Sequence, residues 1–470
     1  MRAKAPLLLV ASLTITAGPA RAAPDTPAAP LTRTDATKPA VLTAPPLKLD
    51  VRRTELPNGL RVVLSVDHTS PTIAVDVMYD VGARSEERGH SGFAHLFEHM
   101  MFQGSANVEK GQHFSLVQAA GGTLNASTWL DRTNYFETLP GHELELALWL
   151  EADRMASLLP AMTQEKLDNQ RDVVKNERRW SVDNQPYGSW DEKMQALVYP
   201  AGHPYHHSTI GSMEDLSAAS LEDVQEFFAT WYAPNNAVLT VAGDFEADEA
   251  LTMIERHFGR IPANASLPPS PDLTIDPLLG EEVRETVADQ VPLPRIYLAH
   301  RIPVFGTDAF DALDVAADVL GAGRASRLYA SLVREQQVAQ DASVFVFPIV
   351  GGASMFALWV TARPGVSTET LEAATLAELD RLATDGPTDA DLERVNNLHA
   401  AHVAGMLERV SERADRLSMY TCLFDQPERI NEEASRWGAV DSDRVTDALR
   451  ASLLPENRVT LTYVPAEAAS

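Results

Sequence analysis

The chain has 470 residues, 45% hydrophobic and 22% charged, enough for two to four domains of ordinary size with a large core. Its formal charge of −27 argues against nucleic acid as the main partner and fits a soluble protein. The single cysteine, Cys422, excludes an intrachain disulfide and a cysteine-rich zinc site.

The first residues read as a secretory signal. Arg2 and Lys4 precede a short apolar stretch, residues 7–15, which is too short to span a bilayer. Ala20-Arg21-Ala22 is an A-x-A cleavage site. Cleavage after Ala22 removes three positive charges from the formal −27 and leaves −30. Residues 23–47 are rich in Ala, Pro and Thr without period, the composition of a flexible leader. No later apolar run is long enough for a membrane span. The expected product is periplasmic or secreted.

Structure is expected from Lys48. Leu60, Val62, Leu64 and Val66 alternate after a Pro57-Asn58-Gly59 turn, and Ile73, Val75, Val77, Tyr79 and Val81 alternate next; both runs predict strands. Residues 91–102 predict a helix that is apolar nearly all round. Residues 112–120 predict another, broken by Gly121-Gly122 before a hairpin at 123–128 and 134–139. Long helices are expected at 142–158 and from an N-cap at Thr163 to about Trp180. A helix at 221–231 leads to a strand at 237–242. Five prolines in 261–277 mark an inter-domain linker. Beyond it come strands at 296–300, 354–362 and 459–464. Helices are expected at 310–320, 368–383 and 388–410, with Thr368 and Thr388 as N-caps of the last two.

The two halves look related. Pro234, Asn236 and Val238 recur as Pro455, Asn457 and Val459, at a constant offset of 221. The organisation expected is therefore a signal at 1–22, a leader at 23–47, an N-terminal domain at 48–260, the linker at 261–277 and a homologous C-terminal domain at 278–470.

Chemistry concentrates in the helix at 91–102. His95, Glu98 and His99 form H-x-x-E-H. Positions 95 and 99 are four apart, so both imidazoles leave one helix face a turn apart, with Glu98 beside them. Buried charge needs a partner or a cation. Two such histidines can hold one Zn²⁺, and the adjacent carboxylate can take a proton from an activated water. At offset 221 these residues become Ala316, Val319 and Leu320, so the second half has no metal triad.

A catalytic zinc needs a third protein ligand. Glu177 follows Val173 by four residues and Val174 by three, and these valines predict the buried side of the helix that starts after Thr163. Taken alone, such a glutamate is a ligand, a salt-bridge partner or a solvated charge. A loop at 203–207, holding His203, Tyr205, His206 and His207, lacks the fixed geometry of a metal site.

Four segments carry a resemblance: HLFEHMMFQGS at 95–105, GGTLNASTWLDRTNYFETL at 121–139, RDVVKNERR at 171–179 and YAPNNAVLTVAGDF at 232–245. Together they resemble the insulinase/pitrilysin family of zinc peptidases, in its short two-domain subfamily that includes mitochondrial processing peptidase. The resemblance runs from about Lys48 to the C-terminus. It implies an α+β fold of two homologous αβ domains, each an antiparallel-rich sheet with helices on one face, forming half of a clamshell. It implies Glu177 as the third zinc ligand beside His95 and His99, with one Zn²⁺ per chain, and Glu98 as general base. It implies endopeptidase action on extended peptides, which Asn125 and Ala126 would bind through an edge strand.

This sequence departs from the family at two places. Where many members carry a second carboxylate seven residues before the zinc glutamate, Gln170 stands. The family's substrate-holding Arg–Tyr pair is represented by Arg334, but position 341 is Asp, which cannot donate to an oxyanion. The resemblance therefore implies the metal-bearing chain of a heterodimer whose homologous partner supplies the Arg and Tyr. The alternative is a non-catalytic scaffold or peptide-binding subunit of the same family.

Overall fold

The computed structural model describes residues 48–466. The expected signal and leader lie outside the described residues. The first half begins with β1 (Arg52–Glu55), β2 (Arg61–Val66), β3 (Thr72–Tyr79) and α1 (Phe93–Met100). It continues with α2 (Gln112–Ala119), β4 (Thr123–Thr128), β5 (Thr133–Pro140), α3 (Leu144–Ser157) and α4 (Gln164–Arg178). It closes with α5 (Trp190–Val198), α6 (Met213–Ala218), α7 (Leu221–Trp231), β6 (Ala237–Gly243) and α8 (Ala247–Phe258). Residues 261–277 form neither helix nor strand.

The second half begins with β7 (Val283–Asp289), β8 (Arg295–Ile302), α9 (Asp308–Gly321), β9 (Ala339–Phe347) and β10 (Ser354–Ala362). Then come α10 (Thr368–Asp385), α11 (Asp389–Glu408), α12 (Val410–Phe424), α13 (Glu433–Gly438), α14 (Ser442–Ser452) and β11 (Arg458–Pro465). Thr163 and Thr388 cap α4 and α11 as expected, but Ser367, one residue before Thr368, caps α10. The expected helix at 388–410 breaks at Arg409, whose extended backbone starts the separate helix α12.

Two mixed sheets organise these elements. The first has strand order β1-β2-β6-β3-β5-β4 and the second β7-β11-β8-β10-β9. Apart from β1, they share one plan. A strand pairs in parallel with the last strand of its half, which pairs antiparallel with the next, and a hairpin partner and an edge strand follow. The repeat extends to side chains. Asn236 Nδ2 donates to the carbonyls of Trp231 and Asp80 at 2.9 and 3.3 Å. Asn457 Nδ2 donates to those of Ser452 and Arg301 at 2.7 and 2.8 Å. Every member of the second set lies 221 residues after its counterpart.

Each sheet carries helices of its own half on one face, as expected, and the packing adds a helix of the other half on the opposite face. The first core lies between β2, β3 and β6 and the helices α1, α3, α7 and α8. The opposite face of the same sheet, with Val63, Met78 and Val238, is covered by Leu417 and Tyr420 of α12, a helix of the second half. Reciprocally, Met194 and Val198 of α5 pack on Ala299, Met355 and Leu461 of the second sheet. Helices α5 and α12 are themselves counterparts at the 221 offset, so each half lends the same helix to the other. Double coverage explains why β3 is buried at seven of its eight positions instead of at every second one. Each large aliphatic side chain enclosed this way contributes about 1.5–3 kcal/mol.

Candidate metal and peptidase site

Helix α1 is placed by burial and by its first turn. Phe93, Ala94, Leu96, Phe97 and Met100 are all within the core. Its N-cap is Gly92, which has no side chain to offer and adopts φ 89°. A Cβ there would come within 2.8 Å of Gly211 Cα. Capping is supplied from a distance. Glu86 Oε2 accepts from the Gly92 amide at 2.9 Å, and Oε1 accepts from that of Ala94 at 2.7 Å. Asp215 Oδ2 accepts from the Ser91 amide at 3.0 Å. Carboxyl oxygens on these amides satisfy orphan donors at the start of the helix.

Helix α4 is brought to the same point from its C-terminal end. Beyond Arg178 the helix widens into a π turn, residues Arg179–Asp183. The Arg178 guanidinium donates to the Gly211 carbonyl at 2.8 Å and to Glu192 at 2.9 Å. Gly211 thus touches the start of α1 and the end of α4 together. Val174 is fully buried, but Val173 is 37% exposed, which corrects its expected place on the buried side. Glu177 sits at the boundary between the two valines, with 17% of its side chain exposed.

His95, His99 and Glu177 converge. The two Nε2 atoms are 3.3 Å apart. His95 Nε2 is 3.7 Å from Glu177 Oε1, and His99 Nε2 is 3.4 Å from Glu177 Oε2. Tetrahedral bonds of 2.0–2.1 Å would separate ligand atoms by about 3.4 Å, so this donor set fits zinc. Burial, reinforced by His99, pushes His95 down to about 4, which leaves a neutral imidazole. Burial opposes ionisation of Glu177, but its hydrogen bond to His99 and the charges of His95 and His99 together outweigh that and hold the carboxyl below its ordinary value. Gln170 is buried against His99, where its amide side chain is a hydrogen-bond partner.

Glu98 is buried on the same turn, and burial raises it above the usual carboxylate range. The Thr128 hydroxyl donates to its Oε2 at 2.5 Å. Asn125 and Ala126 lie on β4, the outer strand of the first sheet, and pair on one side only, with Phe136 and Tyr135. The other edge of β4 is open to strand addition. Arg334 is not drawn into this constellation: its side chain is 63% exposed and pairs with its neighbour Glu335. Asp341 accepts from Thr361 Oγ1 at 3.0 Å within the second sheet. The histidine loop is structural: His203 contacts the Leu273 carbonyl, and the Tyr205 hydroxyl donates to Asp131. Sequence reasoning missed Glu86, Asp215 and Thr128. Thr128 carried a signal, since it ends the strand expected to line the site; the two acids carried none.

A family model described as "Insulinase (Peptidase family M16)" matches residues 61–199, and one described as "Peptidase M16 inactive domain" matches residues 218–398. The chain is 32% identical over 379 residues to a Helicobacter pylori protein named zinc protease PqqE, covering 78% of this chain and 82% of that one. It is 24% identical to a probable mitochondrial-processing peptidase subunit beta of Arabidopsis thaliana, covering 86% and 76%. The crystal structure of a protease from Helicobacter pylori superposes with a TM-score of 0.83 at 27% identity, covering 89% of this chain and all of that one.

Proposed function

The chain belongs to the insulinase family, peptidase family M16, and from that premise we propose that it is a zinc-dependent endopeptidase acting on extended peptides. The observation that carries this reading is the convergence of His95, His99 and Glu177 with a buried, hydrogen-bonded Glu98 on the same turn of helix. Zinc held by those three residues supplies Lewis acidity, which polarises a carbonyl and brings the pKa of water to about 7.

The chain's own groups do the rest. Glu98 takes the proton of the attacking water and hands it to the leaving amine. Its raised affinity for a proton, set by burial, suits a group that must accept one near neutral pH. Thr128 fixes which carboxylate oxygen is held and leaves the other to work. The open edge of β4 binds the peptide through backbone groups of Asn125 and Ala126, so an unfolded segment is the fitting substrate. The second half has the buried Ala316, Val319 and Leu320 at the equivalent turn and packs on the first through α5 and α12.

Donors to the developing oxyanion come from a homologous partner chain on this reading. It is supported by Asp341, an acceptor where a donor is required, and by the exposed Arg334. No helix among the described residues is long and apolar enough to cross a membrane. With the expected signal, the place of action proposed is the periplasm or the exterior. The decisive experiment combines metal analysis with peptide hydrolysis for wild type and Glu98→Gln. The reading requires about one zinc at the triad, kept by Glu98→Gln and lost by His99→Ala, with hydrolysis abolished in both. A triad that takes no zinc, or hydrolysis that survives Glu98→Gln, overturns it.

A further inference from the structure

Behind the edge strand, three elements of the first half meet at a second group of ligating side chains. His113 comes from α2, Glu137 from β5 and Glu151 from α3, and they are 4%, 1% and 2% exposed. His113 Nε2 lies 3.8 Å from Glu137 Oε2 and 3.9 Å from Glu151 Oε1. All three donor atoms fall within 4.8 Å of one another. We propose that these residues form a second metal site, fully enclosed, which takes a divalent transition-metal ion of the zinc or manganese class.

Of the atoms at this centre only Glu151 Oε1 has a protein partner, the Arg154 guanidinium. His113 Nε2, both Glu137 oxygens and Glu151 Oε2 are buried without a hydrogen bond. Unpartnered buried polar atoms are costly, and three carboxylate oxygens with one imidazole nitrogen in one cluster mark a missing ligand. The spacing from His113 to each carboxylate is too long for a hydrogen bond. It leaves a point about 2.2–2.5 Å from each donor atom, close to metal–ligand bond lengths. One imidazole nitrogen with two carboxylates suits a divalent transition ion.

Charge points the same way. Arg154 donates to Glu151 Oε1 and lies over the Tyr135 ring at 4.3 Å, so one guanidinium is committed to one carboxylate. Glu137 accepts no hydrogen bond from that guanidinium, which acts on it only through space. An ion here would tie α2 and α3 to β5, the strand on which β4 is built. It would brace the peptide-binding edge from behind without touching substrate.

The experiment is metal counting on the full chain, expressed with zinc and manganese supplied and purified without chelator. Wild type should hold about two equivalents. His99→Ala should keep one, and Glu137→Gln should also keep one. His99→Ala with Glu137→Gln should hold none. Brief chelator treatment of wild type should remove the more open triad metal first and leave one equivalent, lost only on unfolding. Circular dichroism verifies that each variant is folded, and the near-isosteric Glu137→Gln preserves shape. A folded His99→Ala chain with no metal overturns the second site while leaving the triad intact. A single equivalent lost in Glu137→Gln but kept in His99→Ala supports the second site and removes the zinc reading of the triad. A wild-type chain with one equivalent that Glu137→Gln leaves unchanged means that a shared proton or water fills the centre, and the proposal fails.

Discussion

Thr128 Oγ1 donates to Glu98 Oε2 at 2.5 Å, which joins the last residue of the edge strand to the carboxylate beside the two histidines. The strand that would carry the peptide and the group that would take the proton are thereby held in one frame. Hydrogen bonds to charged groups are worth about 1.5–3 kcal/mol. Thr128→Val should therefore lower kcat by about 10- to 100-fold with zinc content unchanged. Thr128→Ser should recover most of the loss. Steady-state kinetics beside metal analysis checks both; an unchanged kcat in Thr128→Val would mean that Glu98 is oriented by other contacts.

Glu86 is a positioning residue for α1. Its two oxygens take the amides of Gly92 and Ala94, and Gly92 itself has nothing to cap with. Glu86→Ala leaves two buried amides without acceptors, at about 1–3 kcal/mol each. The expected result is a lower Tm and weaker zinc retention in a chelator competition, with zinc-saturated kcat much less affected. If zinc retention matches wild type while Tm falls, the cap matters for stability alone.

Asp76 sets a pH dependence of stability. It is fully buried on β3, and burial, with Asp415 of α12 nearby, pushes it up to about 7. Asn134 Nδ2 bridges the two acids, at 2.6 Å from Asp76 and 3.0 Å from Asp415, and Arg132 lies beside them. The unfolded chain releases this proton near 3.8, the folded chain near 7. The group's contribution is therefore full below about 4 and is lost as pH rises through 7. At about 1.4 kcal/mol per pKa unit the ceiling is about 4 kcal/mol. Asp76→Asn should gain clearly more Tm over wild type at pH 8 than at pH 5, where only the first part of the contribution has been lost. Melting curves at the two pH values test this, and equal shifts would assign Asp76 an ordinary ionisation.

The two-chain reading predicts slow turnover by the chain alone. Adding the homologous Arg/Tyr partner should raise the rate by ~10²-fold or more, the usual worth of an oxyanion donor. Asp341→Tyr should recover part of that rate in the single chain. Full activity of a homogeneous preparation, indifferent to Arg334→Ala, would place the donors within the chain and remove the partner.

Local signals carried much of the organisation. The strands and helices announced themselves by period 2 and by caps, and two of the three expected Thr caps do cap. Sequence alone placed Val173 inward because neighbouring valines share a helical side within 100° of each other. Packing separated them, since α4 is covered only as far as Val174. The N-cap near residue 367 was one position off because Ser and Thr are equivalent acceptors.

What the sequence determined by itself was the donor set and its polarity. An i, i+4 histidine pair with an intervening glutamate, in an apolar helix, has one geometry wherever that helix packs. The 221-residue offset likewise marked the repeat and showed that its second copy lacks the triad. Only the tertiary structure decided how Glu177, 78 residues beyond His99, reaches the histidines. That depends on Gly92 meeting Gly211 and on Arg178 reaching the same Gly211 carbonyl. The exchange of α5 and α12 between the two sheets, and the enclosure of His113, Glu137 and Glu151, were decided there too. These are contacts between residues far apart in the chain, which no local period or propensity encodes.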